Sequence, residues 1–236
     1  MTKEEWLLSD DPTPMLDLVA GQASGRRLRL LGCAWCRSAC RGAEDEILYL
    51  DTIDLIERSA DGLERDEAVT TAVEAIAGIE DQIACAIAST ATFNECELAG
   101  LESRPTDDRI EAIQQVGEDA AVSYALLKIQ HLSSASEEYD SSYTEKAYEA
   151  VDFQFALLRD IFNPFHPVAF DPSWRTEAVV ALARGMYESR DSTPMPVLAD
   201  ALEDAGCADA DILAHCRGPG PHVRGCWVVD LVLGKN

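Results

Sequence analysis

The chain has 236 residues, of which 47% are hydrophobic, and a formal net charge of −24. This length suits one large domain or two small ones, and no run of about 18 apolar residues predicts a membrane span. The opening MTKEEWLLSDDPTP lacks the basic and apolar regions of a secretory signal, so we expect a cytoplasmic protein. Because disulfides are rare in that compartment, we expect the eight cysteines to be thiols or metal ligands.

The negative charge is concentrated in the middle of the chain. Residues 42–155 contain 27 acidic and 6 basic side chains, which gives this segment a net charge of −21. Such a field disfavours phosphate backbones, so we expect no direct binding of nucleic acid. It favours a basic protein partner, well-solvated helix surfaces, or mimicry of nucleic acid toward a basic groove.

Capping residues and apolar periodicity predict helices through the first part of the chain. Thr2 and Glu5 form a capping box, and Ser24 suits the N-cap of a helix rich in arginine and cysteine. Apolar residues recur at three- and four-residue steps over 66–92. The predicted helices are 3–8, 14–20, 25–41, 44–60, 66–92 and 107–132.

The helix over 25–41 has an unusual distribution of cysteine. On a helical wheel, Cys33, Cys36 and Cys40 lie among arginines, on the side opposite Trp35. Positive charge stabilises a thiolate over a thiol. We therefore predict that this face holds reactive or metal-binding thiols.

The second part of the chain follows a polar segment at 133–142, which we predict to be a linker between regions 1–132 and 144–236. The stretch WVVDLVL at 227–233 has no partner strand in the sequence, so a helix is favoured over a strand. The predicted helices here are 144–162, 174–189, 195–205, a short helix that ends at Cys216, and a last helix that ends near Leu233. We therefore predict an all-α, bundle-like protein of about nine to eleven helices.

We predict structural roles for the cysteines and histidines that belong to no cluster of metal donors in the sequence. We predict that Cys85 and Cys96 pack in the core. His131 is predicted to complement the negative end of a helix, and His166 to have a surface or packing role in a proline-rich loop.

Four segments of the chain carry a resemblance: EWL with DPTPML, RRLRLLGCAWCR, LLRDIFNPFHPV, and LADALEDAGCADADILAHCRGPGPHVRGCWVVDLVLGK. They cover roughly residues 1–42 and 155–236 and are similar to an uncharacterised family of helical proteins from planctomycete bacteria. The resemblance implies no activity and no catalytic residue. It implies that the two ends pack together as one unit, with the acidic middle inserted, through motifs that here contain Cys33, Cys36, His215, Cys216 and Cys226.

Two pairs of donors predict a zinc site. Zinc prefers a tetrahedron of cysteine and histidine ligands, often supplied as two close pairs. Cys33 and Cys36, and likewise His222 and Cys226, have the spacing that places both side chains on one side of a helix. We predict these four residues as the metal ligands. The reserve donors are His215, Cys216, Cys40 and Cys207.

Thiols without metal, a redox dithiol and an iron–sulfur centre remain alternatives to zinc. The sequence contains no phosphate-binding glycine loop, no G-x-S-x-G elbow and no HExxH motif, so whether the protein is an enzyme stays open. We favour a protein-interaction module with a structural zinc or thiol cluster. A metal- or thiol-dependent enzyme at the Cys/His cluster, and an immunity or nucleic-acid-mimic protein that uses the acidic middle, are the other hypotheses.

Overall fold

In a computed structural model, the chain is helical, which confirms the predicted all-α class. The structure describes residues 1–9, 11–20, 24–79, 82–92, 113–117, 120, 137–165 and 170–235. The first helices in these ranges are α1 (Lys3–Leu8), α2 (Pro12–Ala20), α3 (Gly25–Ala39), α4 (Glu46–Ala60), α5 (Asp66–Ile76) and α6 (Gln82–Thr92). The later ones are α7 (Glu137–Ile161), a 3-10 turn at Pro172–Trp174, α8 (Glu177–Ser189), α9 (Met195–Asp204), α10 (Ala210–Arg217) and α11 (Trp227–Leu233).

The predicted helix starts are confirmed where capping residues were clear. The Thr2 hydroxyl accepts the Glu5 N–H at 3.2 Å, and the Glu5 carboxylate accepts the Thr2 N–H at 2.7 Å, which completes the capping box. Ser24 caps α3 by accepting the Arg27 N–H at 3.4 Å. The last stretch, 227–233, is a helix, as predicted.

Two predicted elements are wrong. The single helix over 66–92 is divided into α5 and α6, and a turn that contains Gly78 follows α5, because glycine is a poor helix former. The predicted linker is helical from residue 137 onward, where α7 begins. The predicted helix over 107–132 lies almost entirely outside the described residues.

The chain divides into two compact units, Met1–Phe155 and Ala156–Asn236. The predicted domain ranges, 1–132 and 144–236, and the packing of the two regions stay predictions. Within the ranges that the structure describes, none of the helices is both long enough and apolar enough to cross a lipid bilayer.

In the N-terminal unit, α3 packs against α4 and α6. Gly32 allows the close approach of α6, because a Cβ atom at this position would lie 2.6 Å from Oγ1 and 2.8 Å from Cγ2 of Thr90. Thr90 is itself buried, and its hydroxyl donates to the Ala86 carbonyl at 2.8 Å. Gly32 is therefore a packing residue within α3.

The predicted reactive face of α3 is wrong, because its cysteines are buried and carboxylates of the following segment pair with two of its arginines. Arg26 pairs with Asp61 at 2.9 Å, and Arg37 pairs with Glu57 at 3.1 Å. Burial, together with the charge of Glu57, raises the pKa of Cys33 well above its usual value. The cysteines of α3 and its C-cap are all buried thiols: Cys33, Cys36 and Cys40.

The C-terminal unit has its own hydrophobic core, formed by α8 to α11. Its centre contains apolar side chains from each of these helices, including Val179, Leu198, Ile212 and Val228. Arg175 fixes the end of α11 by donating to the Val232 and Leu231 carbonyls at 3.0 and 2.8 Å. The Leu231 carbonyl also accepts the N–H of the C-cap residue Gly234 at 3.3 Å. The arginine therefore adds hydrogen bonds to the end of the helix, where the last carbonyls lack i+4 partners.

Candidate metal centre

Four potential metal ligands converge in the C-terminal unit. Asp160, His215, His222 and Cys226 each offer one ligand atom, and these atoms all lie within 4.8 Å of one another. Three separate parts of the unit supply them. Asp160 is in the last turn of α7, His215 is near the end of α10, and His222 and Cys226 lie in the loop that leads into α11.

The local sequence explains why these side chains meet. Asp209 caps α10 by accepting the Ile212 N–H at 3.1 Å, and α10 then carries His215 toward the core. After the Gly-Pro-Gly-Pro segment, the Val223 N–H donates to Oδ2 of Asp160 at 2.8 Å, which holds the loop against the end of α7. Cys226 is the N-cap residue of α11, so its position is fixed by the start of that helix.

Both histidines contact the same oxygen of Asp160. Nδ1 of His222 lies 2.7 Å from Oδ1 of Asp160, and Nε2 of His215 lies 3.1 Å from it. Nε2 of His215 is also 3.2 Å from Sγ of Cys226. In a tetrahedral zinc site with bonds of about 2.0–2.3 Å, ligand atoms are separated by roughly 3.3–3.8 Å. To bind an ion, the contacting ligand atoms of Asp160, His215, His222 and Cys226 would therefore have to move apart, by at most about 0.6 Å.

The centre is shielded from solvent. Asp160 is 2% exposed, Cys226 is fully buried, and the side chain of His215 is 17% exposed. The ring of Trp227 covers His215, with the two ring centroids 5.0 Å apart. In a site this dry, the charge of an ion has to be balanced by its ligands.

The electrostatics of the centre suit a divalent cation. Burial raises the pKa of Asp160, but its hydrogen bonds with His215 and His222 outweigh that effect and hold the pKa below its ordinary value. Burial and the charge of Asp160 raise the pKa of Cys226 well above its usual value. A bound cation would reverse the effect on Cys226, because a coordinating thiol loses its proton. One carboxylate and one thiolate would then balance a charge of +2.

The predicted ligands are distributed over both units. His222 and Cys226 do lie together, but in the loop before α11 and not on one side of a helix as predicted, and the reserve donor His215 joins them. Cys33 and Cys36 belong to the N-terminal unit, and their pairing with the tail stays a prediction. Among the reserve donors, Cys40 is in the N-terminal unit, whereas two others lie in the hydrophobic core of the C-terminal unit: Cys207 and Cys216.

Asp160 is the candidate ligand that the sequence did not single out. It follows the apolar Leu157 and Leu158 and precedes Ile161, all of which are buried. A carboxylate in the last turn of a helix is also disfavoured by the negative helix end. An acidic residue that is both surrounded by apolar positions and placed at the wrong end of a helix was the available signal.

The remaining predictions for isolated residues have different outcomes. Cys85 is exposed on α6, so its predicted role in core packing is wrong. The other three residues, Cys96, His131 and His166, lie outside the described residues.

The chain matches no family model, no curated protein and no solved structure. The fold and the site together define an all-helical protein with a candidate metal centre in its C-terminal unit. Its function therefore has to be argued from that centre.

Proposed function

We propose that the protein is a non-catalytic interaction module whose C-terminal unit is stabilised by one structural zinc ion. The observation that carries this proposal is the convergence of Asp160, His215, His222 and Cys226 within 4.8 Å. Imidazole and thiolate ligands select zinc over magnesium and calcium, which prefer oxygen ligands. The ligand set of one carboxylate, one thiolate and two imidazoles gives a neutral zinc complex.

A structural role is favoured over a catalytic one because the site is closed. Structural zinc sites use four protein ligands, whereas catalytic sites use three and keep one position for water or substrate. Here four donors are available, and Asp160 and Cys226 are almost completely buried. The enzyme hypothesis would need an open position at this centre.

The proposed ion would link segments that are distant in the sequence. Asp160 precedes His222 by 62 residues, and α8, α9 and α10 lie between them. Holding such a long loop closed costs conformational entropy, and a metal ion that ties its ends reduces the entropy of the unfolded chain. The expected function of the ion is therefore to hold the end of α7, the end of α10 and the start of α11 together.

The proposed interaction surface lies on the N-terminal unit. On α4, Ile47 is 78% exposed and lies beside the exposed Leu48. Exposed carboxylates flank these two residues at Glu44 and Asp51. A surface of this kind suits a partner segment with an apolar residue among basic ones. We also propose that the chain is related to the uncharacterised planctomycete family that its two ends resemble.

Metal analysis tests the first part of the proposal. Protein purified without chelator should contain one zinc per chain, and cobalt should substitute for it with the absorption of a tetrahedral site that includes one thiolate. Zinc should also raise the free energy of unfolding. Absence of bound metal at saturating zinc would refute a zinc centre, and a removable ion that leaves stability unchanged would favour catalysis.

A matched pair of variants tests the second part. Ile47→Lys should weaken binding to proteins captured by the wild-type chain, and this binding should fall as salt increases, because screening weakens charge attraction. Val197→Lys is the control, because Val197 is 55% exposed but lies on α9 of the C-terminal unit. Equal binding by both variants would contradict the assignment of the surface on α4.

A further inference from the structure

Next to the candidate metal centre is a small cavity lined by apolar side chains and by a few basic and polar ones. It has a volume of about 20 Å³, which is enough space for one water molecule or one ligand oxygen. Its polar lining includes Arg190, Ser192, His222 and Arg224. We call it the His222 cavity.

A buried nitrogen of His222 has no partner. The side chain is 9% exposed, and its Nδ1 contacts Asp160 at 2.7 Å. Its Nε2 is buried and has no hydrogen-bond partner among the described residues. His222 lines the cavity, whereas Asp160 does not. An unpaired buried nitrogen costs free energy, which a hydrogen-bond partner would recover.

Gly220 lies against the backbone and the ring of His222. A Cβ atom at Gly220 would lie 3.2 Å from the backbone N, 3.4 Å from Cδ2 and 3.8 Å from Nε2 of His222. Gly220 has a φ of +77°, a conformation that glycine adopts without strain. Its backbone conformation and its close approach to the backbone of His222 therefore favour glycine at this position.

Two arginines line the cavity in an otherwise acidic protein. The guanidinium of Arg224 lies 4.6 Å from the ring centroid of Tyr187, which also lines the cavity. Arg190 is the C-cap residue of α8. Two of the seven basic side chains of residues 156–236 therefore line one small space.

We propose that the His222 cavity binds an oxoanion, one oxygen of which accepts a hydrogen bond from Nε2 of His222. Phosphate and carboxylate share the required chemistry, because both present several acceptor oxygens to arginine. The inference builds on the proposed zinc centre, since ligation through Nδ1 leaves the proton of His222 on Nε2. Metal-bound histidines almost always donate this second N–H to an acceptor. Arg190 and Arg224 would bind the remaining oxygens at the mouth of the cavity.

Titration of the zinc-loaded full-length protein with inorganic phosphate and with acetate tests this proposal. Sodium chloride at matched ionic strength is the reference for screening. Calorimetry measures binding, and long-range proton–nitrogen NMR of the histidine rings reports the Nε2 resonance of His222. We expect saturable binding to phosphate, acetate or both, accompanied by a shift of that resonance. The anion that binds more tightly identifies the ligand class.

Charge-neutral variants locate the site. Arg190→Gln and Arg224→Gln should each weaken binding by about tenfold or more, as expected for the loss of one charge-assisted hydrogen bond. Arg184→Gln is the control, because Arg184 is exposed on the same helix as Met186 and does not line the cavity. Equal affinities of all three variants would overturn the proposal, as would saturable binding that leaves the Nε2 resonance unchanged.

The two proposals fail in different ways. If zinc binds but neither anion does, the cavity holds only water, and the oxoanion proposal is overturned while the zinc centre stands. If zinc does not bind, the same titrations of the metal-free protein decide the cavity proposal. Binding that depends on Arg190 and Arg224 would then support an oxoanion site without zinc, and no binding would overturn it.

Discussion

Replacement of Cys226 by serine, compared with the same change at Cys216, measures the contribution of the metal centre to stability. Both cysteines are fully buried in the core of the C-terminal unit. Only Cys226 belongs to the group of four potential ligands in the described residues. The two variants therefore impose the same chemical change in similar surroundings, but only one of them removes a ligand.

The expected magnitudes follow from burial and linkage. In chelator, each substitution places a hydroxyl where a thiol was buried, which costs about 1–3 kcal/mol. With zinc at 100 times its dissociation constant, the wild type gains about 2.7 kcal/mol from binding. The Cys216→Ser variant should keep this gain, and the Cys226→Ser variant should lose most of it. The difference in the free energy of unfolding between the two variants should therefore increase by up to about 2.7 kcal/mol when zinc is added.

Urea unfolding of both variants, with and without zinc, measures this difference directly, and metal analysis of the same samples gives the zinc content. The wild type and Cys216→Ser should contain one zinc per chain. If Cys226→Ser binds zinc as tightly as the wild type, the thiolate is not a ligand. If zinc stabilises both variants equally, the reasoning from the four donors is refuted.

Three further predictions concern other parts of the structure. Gly32→Ala should destabilise the protein by about 1–3 kcal/mol in thermal unfolding, because the new methyl group overlaps Thr90. The double variant with Thr90→Ala should recover part of this loss. An unchanged melting temperature of Gly32→Ala would contradict the packing argument. In metal-free protein, the pKa of Asp160 is lower in the folded state than in the unfolded chain. The ionised carboxylate therefore contributes fully to the free energy of unfolding above about pH 3.9, and this contribution is lost as the pH falls through the pKa of the folded state. Acid titration should therefore narrow the stability difference between the wild type and Asp160→Asn, whereas a constant difference would refute this. Iodoacetamide should modify the exposed Cys85 quickly and the buried Cys33 slowly. Peptide mass spectrometry measures both rates. Fast modification of Cys33 would restore the hypothesis of a reactive thiol.

Local signals in the sequence predicted most of the described helices. The capping box of Thr2 and Glu5 and the N-cap at Ser24 act within four residues, so their geometry depends little on the rest of the fold. The division of the predicted helix 66–92 into two helices shows the limit of this approach. Apolar periodicity continued across the break, whereas the turn at Gly78 ended the hydrogen-bond pattern.

The candidate site was predictable only in part. His222 and Cys226 have a recognisable spacing, and they do lie together with His215. Asp160 is one of 43 acidic residues and is separated from His215 by 55 positions, so no spacing rule selects it. Its role depends on the end of α7 meeting the tail, which is a property of the tertiary structure.

The prediction for α3 failed for a related reason. A helical wheel describes one helix, and it placed Cys33 among arginines. The wheel contains no information on Glu57 and Asp61, which come from α4 and the turn after it and pair with those arginines. Burial of Cys33 then raises the pKa of its thiol, whereas the arginine-rich face had predicted a lowered pKa.

The Gly-Pro-Gly-Pro segment has a consequence for how quickly the centre can exchange its ion. Pro219 and Pro221 come just before His222, and each fixes one backbone angle in the folded and the unfolded chain alike. Each such restriction lowers the entropy lost on folding by about 0.4–1 kcal/mol. The two prolines thus restrict the backbone that presents His222, although Gly218 and Gly220 remain free of such restriction. We expect zinc uptake to require deprotonation of Cys226 and small side-chain movements.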